Sequence, residues 1–139
     1  MRRIILALLG SVLFSTLSFA ADPVTVTELL STKTTNTGQP IVLPQHDAQL
    51  LVSRYTIPAG VSTPIHKHPS QRYVQVLSGH VAVTFTDTSK VFEYKAGDFF
   101  AEAQNEWHFG TAVGDEAAVI MVIDQVEAGQ KNVVLRDQN

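Results

Sequence analysis

Beyond residue 45 the chain breaks into short runs that are all of strand length and none of helix length, and this constrains its fold more than any other feature. The runs cover residues 50–57, 73–77, 80–86, 91–94, 99–101, 107–113, 117–123 and 133–135, and they are rich in β-branched and aromatic residues. Turn chemistry divides them: Pro58-Ala-Gly60, Ser78-Gly79, Asp87-Thr-Ser-Lys90, Ala96-Gly97-Asp98, Val113-Gly-Asp115 and Ala128-Gly129. Val81, Val83 and Phe85 alternate with His80, Ala82, Thr84 and Thr86, so that strand has one apolar face. Only residues 27–32 offer a helix, and a brief one. Evenly spaced short strands without an amphipathic helix predict an all-β sandwich or barrel. The aromatics Tyr55, Tyr73, Phe85, Phe99, Phe100, Trp107 and Phe109 are expected in its core rather than on a substrate platform.

The N-terminus reads differently. Met1-Arg2-Arg3 leads an apolar run from Ile4 to Phe14, and Ser18-Phe19-Ala20 follows ahead of Ala21-Asp22-Pro23. That is the order of a secretory signal peptide, cleaved after Ala20. Gly10, Ser11 and Ser15 interrupt the run well short of the roughly 20 apolar residues a bilayer span needs. Cleavage leaves 119 residues: a Thr-rich lead-in over 21–45 and one β-barrel domain over 46–139. The chain has no Cys, so neither a disulfide nor a lipidated Cys anchor is available. A periplasmic or secreted protein without a membrane anchor is expected. Loss of Arg2 and Arg3 moves the formal net charge from −3 to −5, which argues against nucleic acid as a partner.

His66 and His68 stand one residue apart in Gly60-Val-Ser-Thr-Pro-Ile-His66-Lys-His68-Pro69, and on an extended strand they share a face. His108 closes Gly97-Asp-Phe-Phe-Ala-Glu-Ala-Gln-Asn-Glu-Trp-His108. Neutral imidazole is the commonest protein ligand of first-row transition metals, so the three are the candidate metal ligands. His46 and His80 read as ordinary surface residues.

These two segments resemble the two motifs of the cupin superfamily. Gly60, His66, His68 and Gly79 fall at the spacings of the first motif, and Gly97 and His108 at those of the second. The phrases Tyr73-Val-Gln-Val-Leu-Ser-Gly79 and Lys95-Ala-Gly-Asp98 are similar to cupin strands and turns. The resemblance, over roughly residues 50–126, implies a single double-stranded β-helix, a jelly-roll barrel, with a metal at its mouth. Cupin barrels commonly pair, so a homodimer belongs to the expectation, the lead-in adding a strand to the partner's sheet edge.

The departures bear on function. The first motif's carboxylate ligand position holds Arg72, which cannot ligate a metal. In the second motif the Pro position is Ala103, the inner Gly is Asn105 and the Asn is Ala112. A guanidinium about 6 Å from a divalent ion costs roughly 5 kcal/mol at an effective dielectric near 20, so Arg72 must be neutralised or turned away. Glu102, just before the second motif's Pro position, either pairs with Arg72 or itself approaches the metal. Arg72 otherwise anchors a substrate carboxylate or phosphate, or pairs with another acid. Gln71 replaces the missing ligand if the strand bulges by one residue. Three imidazoles leave open positions on Fe, Mn, Ni, Cu or Zn. The resemblance to three-His cupin dioxygenases implies oxygenation of a small organic substrate, with Arg72 and Glu102 as the candidate catalytic residues. The alternatives are a non-catalytic metal or small-ligand binding module, and a metal-dependent isomerase or hydrolase.

Overall fold

A computed structural model describes residues 23–137. The signal segment expected over residues 1–20 lies outside them. The described chain forms nine strands and no helix, and the helical option at 27–32 is not taken. The strands are β1 (Ala48–Ile57), β2 (His66–Lys67), β3 (Arg72–Ser78), β4 (His80–Phe85), β5 (Val91–Lys95), β6 (Phe99–Glu102), β7 (His108–Ala112), β8 (Ala118–Glu127) and β9 (Val134–Leu135). One sheet has the order β1-β8-β3-β6 and the other β5-β4-β7-β2-β9, with antiparallel pairing throughout. The one strand without an apolar run in the sequence is β2. It is two residues long because Pro64 and Pro69 flank it, and neither can donate to a ladder.

Alternation places one row of each strand between the sheets. Val74 and Val76 of β3, Val81, Val83 and Phe85 of β4, Phe100 of β6, Ala112 of β7, and Ala118 and Val122 of β8 form the core. Each large side chain buried there contributes about 1.5–3 kcal/mol. Tyr94 stacks on Phe100 with ring centroids 3.7 Å apart. The expected aromatic core is smaller than the sequence suggested. Phe85 and Phe100 are buried, but Tyr55 is 40% exposed because β1 is an edge strand. Trp107 lies beneath the cations of Lys67 and Arg136, away from the core.

The lead-in is tied to the barrel by hydrogen bonds at residues 36–42, among them Asn36 Nδ2 to the Tyr94 hydroxyl (3.2 Å) and the Thr37 hydroxyl to Glu106 (2.7 Å). Its turn hydrogen-bonds to β6 and the segment after it: Asn36 N–H to the Ala101 carbonyl (2.8 Å), and Gln39 reciprocally with the Gln104 backbone (3.0 and 2.9 Å). Gly79, between β3 and β4, has φ of +76°, and a Cβ there would sit 2.5 Å from the Ala117 carbonyl oxygen. The left-handed conformation alone costs a non-glycine residue about 1–2 kcal/mol, and the clash adds to it. Gly79→Ala is therefore expected to lose more than about 2 kcal/mol of stability in urea unfolding; a loss near zero would contradict this close packing.

Candidate metal centre

The cross-strand register gathers the polar residues at one end of the core. On β3, Arg72 lies opposite Asp124 of β8 on one side and opposite Glu102 of β6 on the other. Val74, two residues on, meets Val122 and Phe100, so the row inward of the polar one is apolar. In the facing sheet His66 of β2 is the register partner of His108 of β7. His68, just beyond β2, completes the group.

The ring nitrogens of His66, His68 and His108 lie within 4.8 Å of one another. Each Nδ1 is held by a backbone carbonyl: Pro64 at 2.7 Å, Asn132 at 2.6 Å and Glu106 at 2.8 Å, respectively. A ring that donates from Nδ1 to a carbonyl carries its lone pair on Nε2, the tautomer a metal requires. The Nε2 atoms of His68 and His108 each stand 3.3 Å from an oxygen of Glu102. His108 Nε2 is misaligned for a hydrogen bond to that oxygen and is buried without a partner. Lone pairs on nitrogen and carboxylate oxygen repel unless a cation lies between them. The donor set of three imidazoles and a carboxylate fits a divalent transition metal.

Glu102 is 6% exposed, and Arg72 does not neutralise it. The ion pair of Arg72 is with Asp124 instead, through Nε to Oδ1 at 2.7 Å and Nη2 to Oδ2 at 2.8 Å. Of the two options for Glu102, the chain takes the approach to the imidazoles. Arg72 sits on the inner face between two acids and turns its fork toward the one on β8. Its remaining nitrogen, Nη1, is 3.3 Å from His68 Nε2. Asn132 ties these groups together: its side-chain amide donates to Asp124 Oδ1 (2.6 Å), and its Oδ1 accepts from the Ser70 N–H (2.7 Å). Gln71 does not replace a ligand. Its amide donates to the carbonyls of Arg72 and Glu102, and the bulge in β3 falls between Val76 and Ser78. His46 is exposed, and His80 faces Glu93 at 3.2 Å, so neither joins the group.

Electrostatics follow from this packing. Burial pushes the His66 imidazole down to about 4, with the adjacent His108 and His68 adding to the effect. Burial would raise the Glu102 carboxyl, but the imidazoles of His108 and His68 outweigh it and hold it well below the usual carboxylate range. For His108 burial opposes the charged form, and the Glu102 carboxylate outweighs it, so that imidazole is raised. Burial likewise opposes the Arg72 charge, and Asp124 more than restores it. Beside this cluster lies a cavity of about 270 Å³. Ile57, Val74, Val83, Phe100, Ile120 and Val122 make most of its wall apolar, and Arg72, Glu102, His66 and His108 form its polar end.

The profile of the cupin domain family matches residues 53–124, more than half of the chain. The chain belongs to the cupin domain family. No curated protein matches it. Among solved structures, an uncharacterised conserved protein with a double-stranded β-helix domain from Klebsiella pneumoniae is similar over 71% of this chain and 83% of its own, at 22% identity and a TM-score of 0.52. A cupin-like protein from Thermotoga maritima is similar over 66% of both chains, at 21% identity and a TM-score of 0.55. Bacillus subtilis oxalate decarboxylase, a protein with Mn(II) centres, is matched over 62% of this chain but only 23% of its own length, at 23% identity and a TM-score of 0.53. At these identities the likeness is one of fold.

Two departures of this cupin from the usual motifs have local explanations. Asn105, in place of the second motif's inner Gly, has φ of +57°, a conformation Asn tolerates better than other non-glycine residues. Arg72 displaces the first motif's carboxylate, and Glu102, its register partner one strand over, presents a carboxylate to His68 and His108. Asp124 and Asn132 join the site without a motif to mark them. Asp124 had a signal, being the one charged residue in the inward series Ala118, Ile120, Val122, Asp124, Val126. Asn132 had none, because its contacts are set by the path of the chain after β8. If its amide holds the array, Asn132→Ala should weaken metal affinity by about 10–100-fold in a chelator competition while the protein stays folded; unchanged affinity would remove it from the site.

Proposed function

We propose that this cupin is an exported metalloprotein in which His66, His68, His108 and Glu102 hold a divalent transition metal, and that it catalyses oxygenation of a small organic substrate taken into the adjoining cavity. The observation that carries the reading is the set of three imidazoles, each fixed at Nδ1 by a backbone carbonyl, with the buried Glu102 carboxylate 3.3 Å from two of them, His68 and His108. Such a metal supplies open coordination positions for O₂ and a substrate head group. The chain's own residues do the rest. Carbonyls orient the imidazoles, Asp124 keeps the Arg72 charge from repelling the metal, and the apolar walls exclude water from the cavity.

The test is oxygen uptake by anaerobically iron-loaded protein offered a series of small acids and thiols. Uptake in the native protein and none in His108→Ala supports an oxygenase. Metal binding without uptake for any compound would instead support a passive metal or ligand carrier. Export and pairing rest on the sequence alone. A mature N-terminus other than Ala21 would remove export from the proposal, and a monomeric mass by light scattering would overturn the expected homodimer.

A further inference from the structure

Arg72 holds an unusual place among the groups at the cavity's polar end. Two of its three nitrogens are committed to Asp124, and the third, Nη1, points at His68 Nε2 from 3.3 Å. That nitrogen carries one lone pair, because Nδ1 of the same ring donates to the Asn132 carbonyl. A metal held by His68 takes that lone pair, and Nη1 then loses its acceptor. The freed N–H group belongs to a buried guanidinium lining the cavity. A buried charged donor without an acceptor is costly, so the site favours a ligand that supplies one. Tyr55, which also lines the cavity, makes no side-chain hydrogen bond among the described residues.

Charge points to the same kind of ligand. A divalent metal, the carboxylates of Glu102 and Asp124 and the guanidinium of Arg72 leave a single net positive charge in a buried site. One monoanion neutralises it, whereas a dianion reverses it. Apart from Tyr55 and Thr63, whose hydroxyl accepts from the Gly110 N–H, the remaining wall is apolar, formed by residues such as Ile57, Val74, Val83, Phe100, Ile120 and Leu135.

We infer that the ligand of this cavity is a small monocarboxylate with an apolar body, its head held by Arg72 Nη1 beside the metal and its body in the apolar barrel interior. This rests on the metal-centre reading above. It differs from the use of Arg72 as a free cationic anchor, since Asp124 already balances the guanidinium charge. What Arg72 gives the ligand is one directed hydrogen bond.

The experiment is calorimetric titration of metal-loaded protein with phenylacetate, phenylacetamide and oxalate, with metal content measured on the same samples. Phenylacetate is expected to bind about tenfold or more tighter than phenylacetamide, the value of one hydrogen bond to a charged group. It should also bind tighter than oxalate, which lacks an apolar body. Arg72→Gln alone leaves Asp124 unpaired and endangers folding, so the variant is Arg72→Gln with Asp124→Asn, which removes both charges and keeps an amide pair. That double variant should retain metal and lose about tenfold in phenylacetate affinity. Equal binding of acid and amide by metal-loaded protein, tighter binding of oxalate, or undiminished phenylacetate affinity in the double variant would each overturn the inference while leaving the metal centre standing. Protein that takes up no metal would overturn the underlying reading and the inference with it.

Discussion

Asp124→Asn is expected to cost this cupin about 3–5 kcal/mol of stability, because it leaves the Arg72 guanidinium charged and buried without its carboxylate. The pair lies at the centre of a cross-strand row, with both N–H···O distances below 2.9 Å and both side chains under a tenth exposed. Asn132 also donates to Asp124, so the substitution disturbs the loop after β8 as well. The double variant Arg72→Met with Asp124→Leu removes both charges together and should recover most of the loss, since a buried pair replaced by apolar side chains of similar size is often neutral. Urea unfolding in the presence of chelator separates this effect from metal binding. A loss below about 1 kcal/mol for Asp124→Asn would mean that water reaches the pair and that the site is far less closed than described.

The second large effect concerns the imidazoles. His66→Ala, His68→Ala and His108→Ala are each expected to weaken metal affinity by at least about 100-fold, since losing even an outer partner of a ligand typically costs 10–100-fold. His80→Ala should change nothing, because His80 faces Glu93 on the other side of β4. Competition with a fluorescent chelator reads all four. A loss in His80→Ala equal to that in His108→Ala would sink the assignment.

The barrel was legible because its strands follow a period of two between strong turn residues. Val81, Val83 and Phe85 face inward as their alternation required, and Asp98 accepts from the Lys95 N–H in the turn expected there. The grouping of His66, His68 and His108 was legible from motif spacing. The identity of the partner of Arg72 was not. It depends on register, and a sequence does not state which residue of β8 lies opposite position 72. Glu102 stands where the motif expects an apolar residue, and its role follows only from its being the register partner of Arg72 on the adjacent strand. Tyr55 departs from the expected core because its β-strand pattern gives no hint that β1 lies at a sheet edge. Asn132 reaches His68 from 64 residues away, through a loop whose course local propensity does not determine.

The central claim is that Glu102 completes, from the neighbouring strand, the donor set that the first motif lacks. Elemental analysis tests it most directly, on the mature protein purified without a His tag or chelator, alongside Glu102→Ala. The account predicts near-stoichiometric transition metal in the native protein and a marked deficit in the variant, with the three imidazoles unchanged. No metal in the native protein after reloading with each of Fe, Mn, Ni, Cu and Zn would contradict it, as would full metal content in Glu102→Ala.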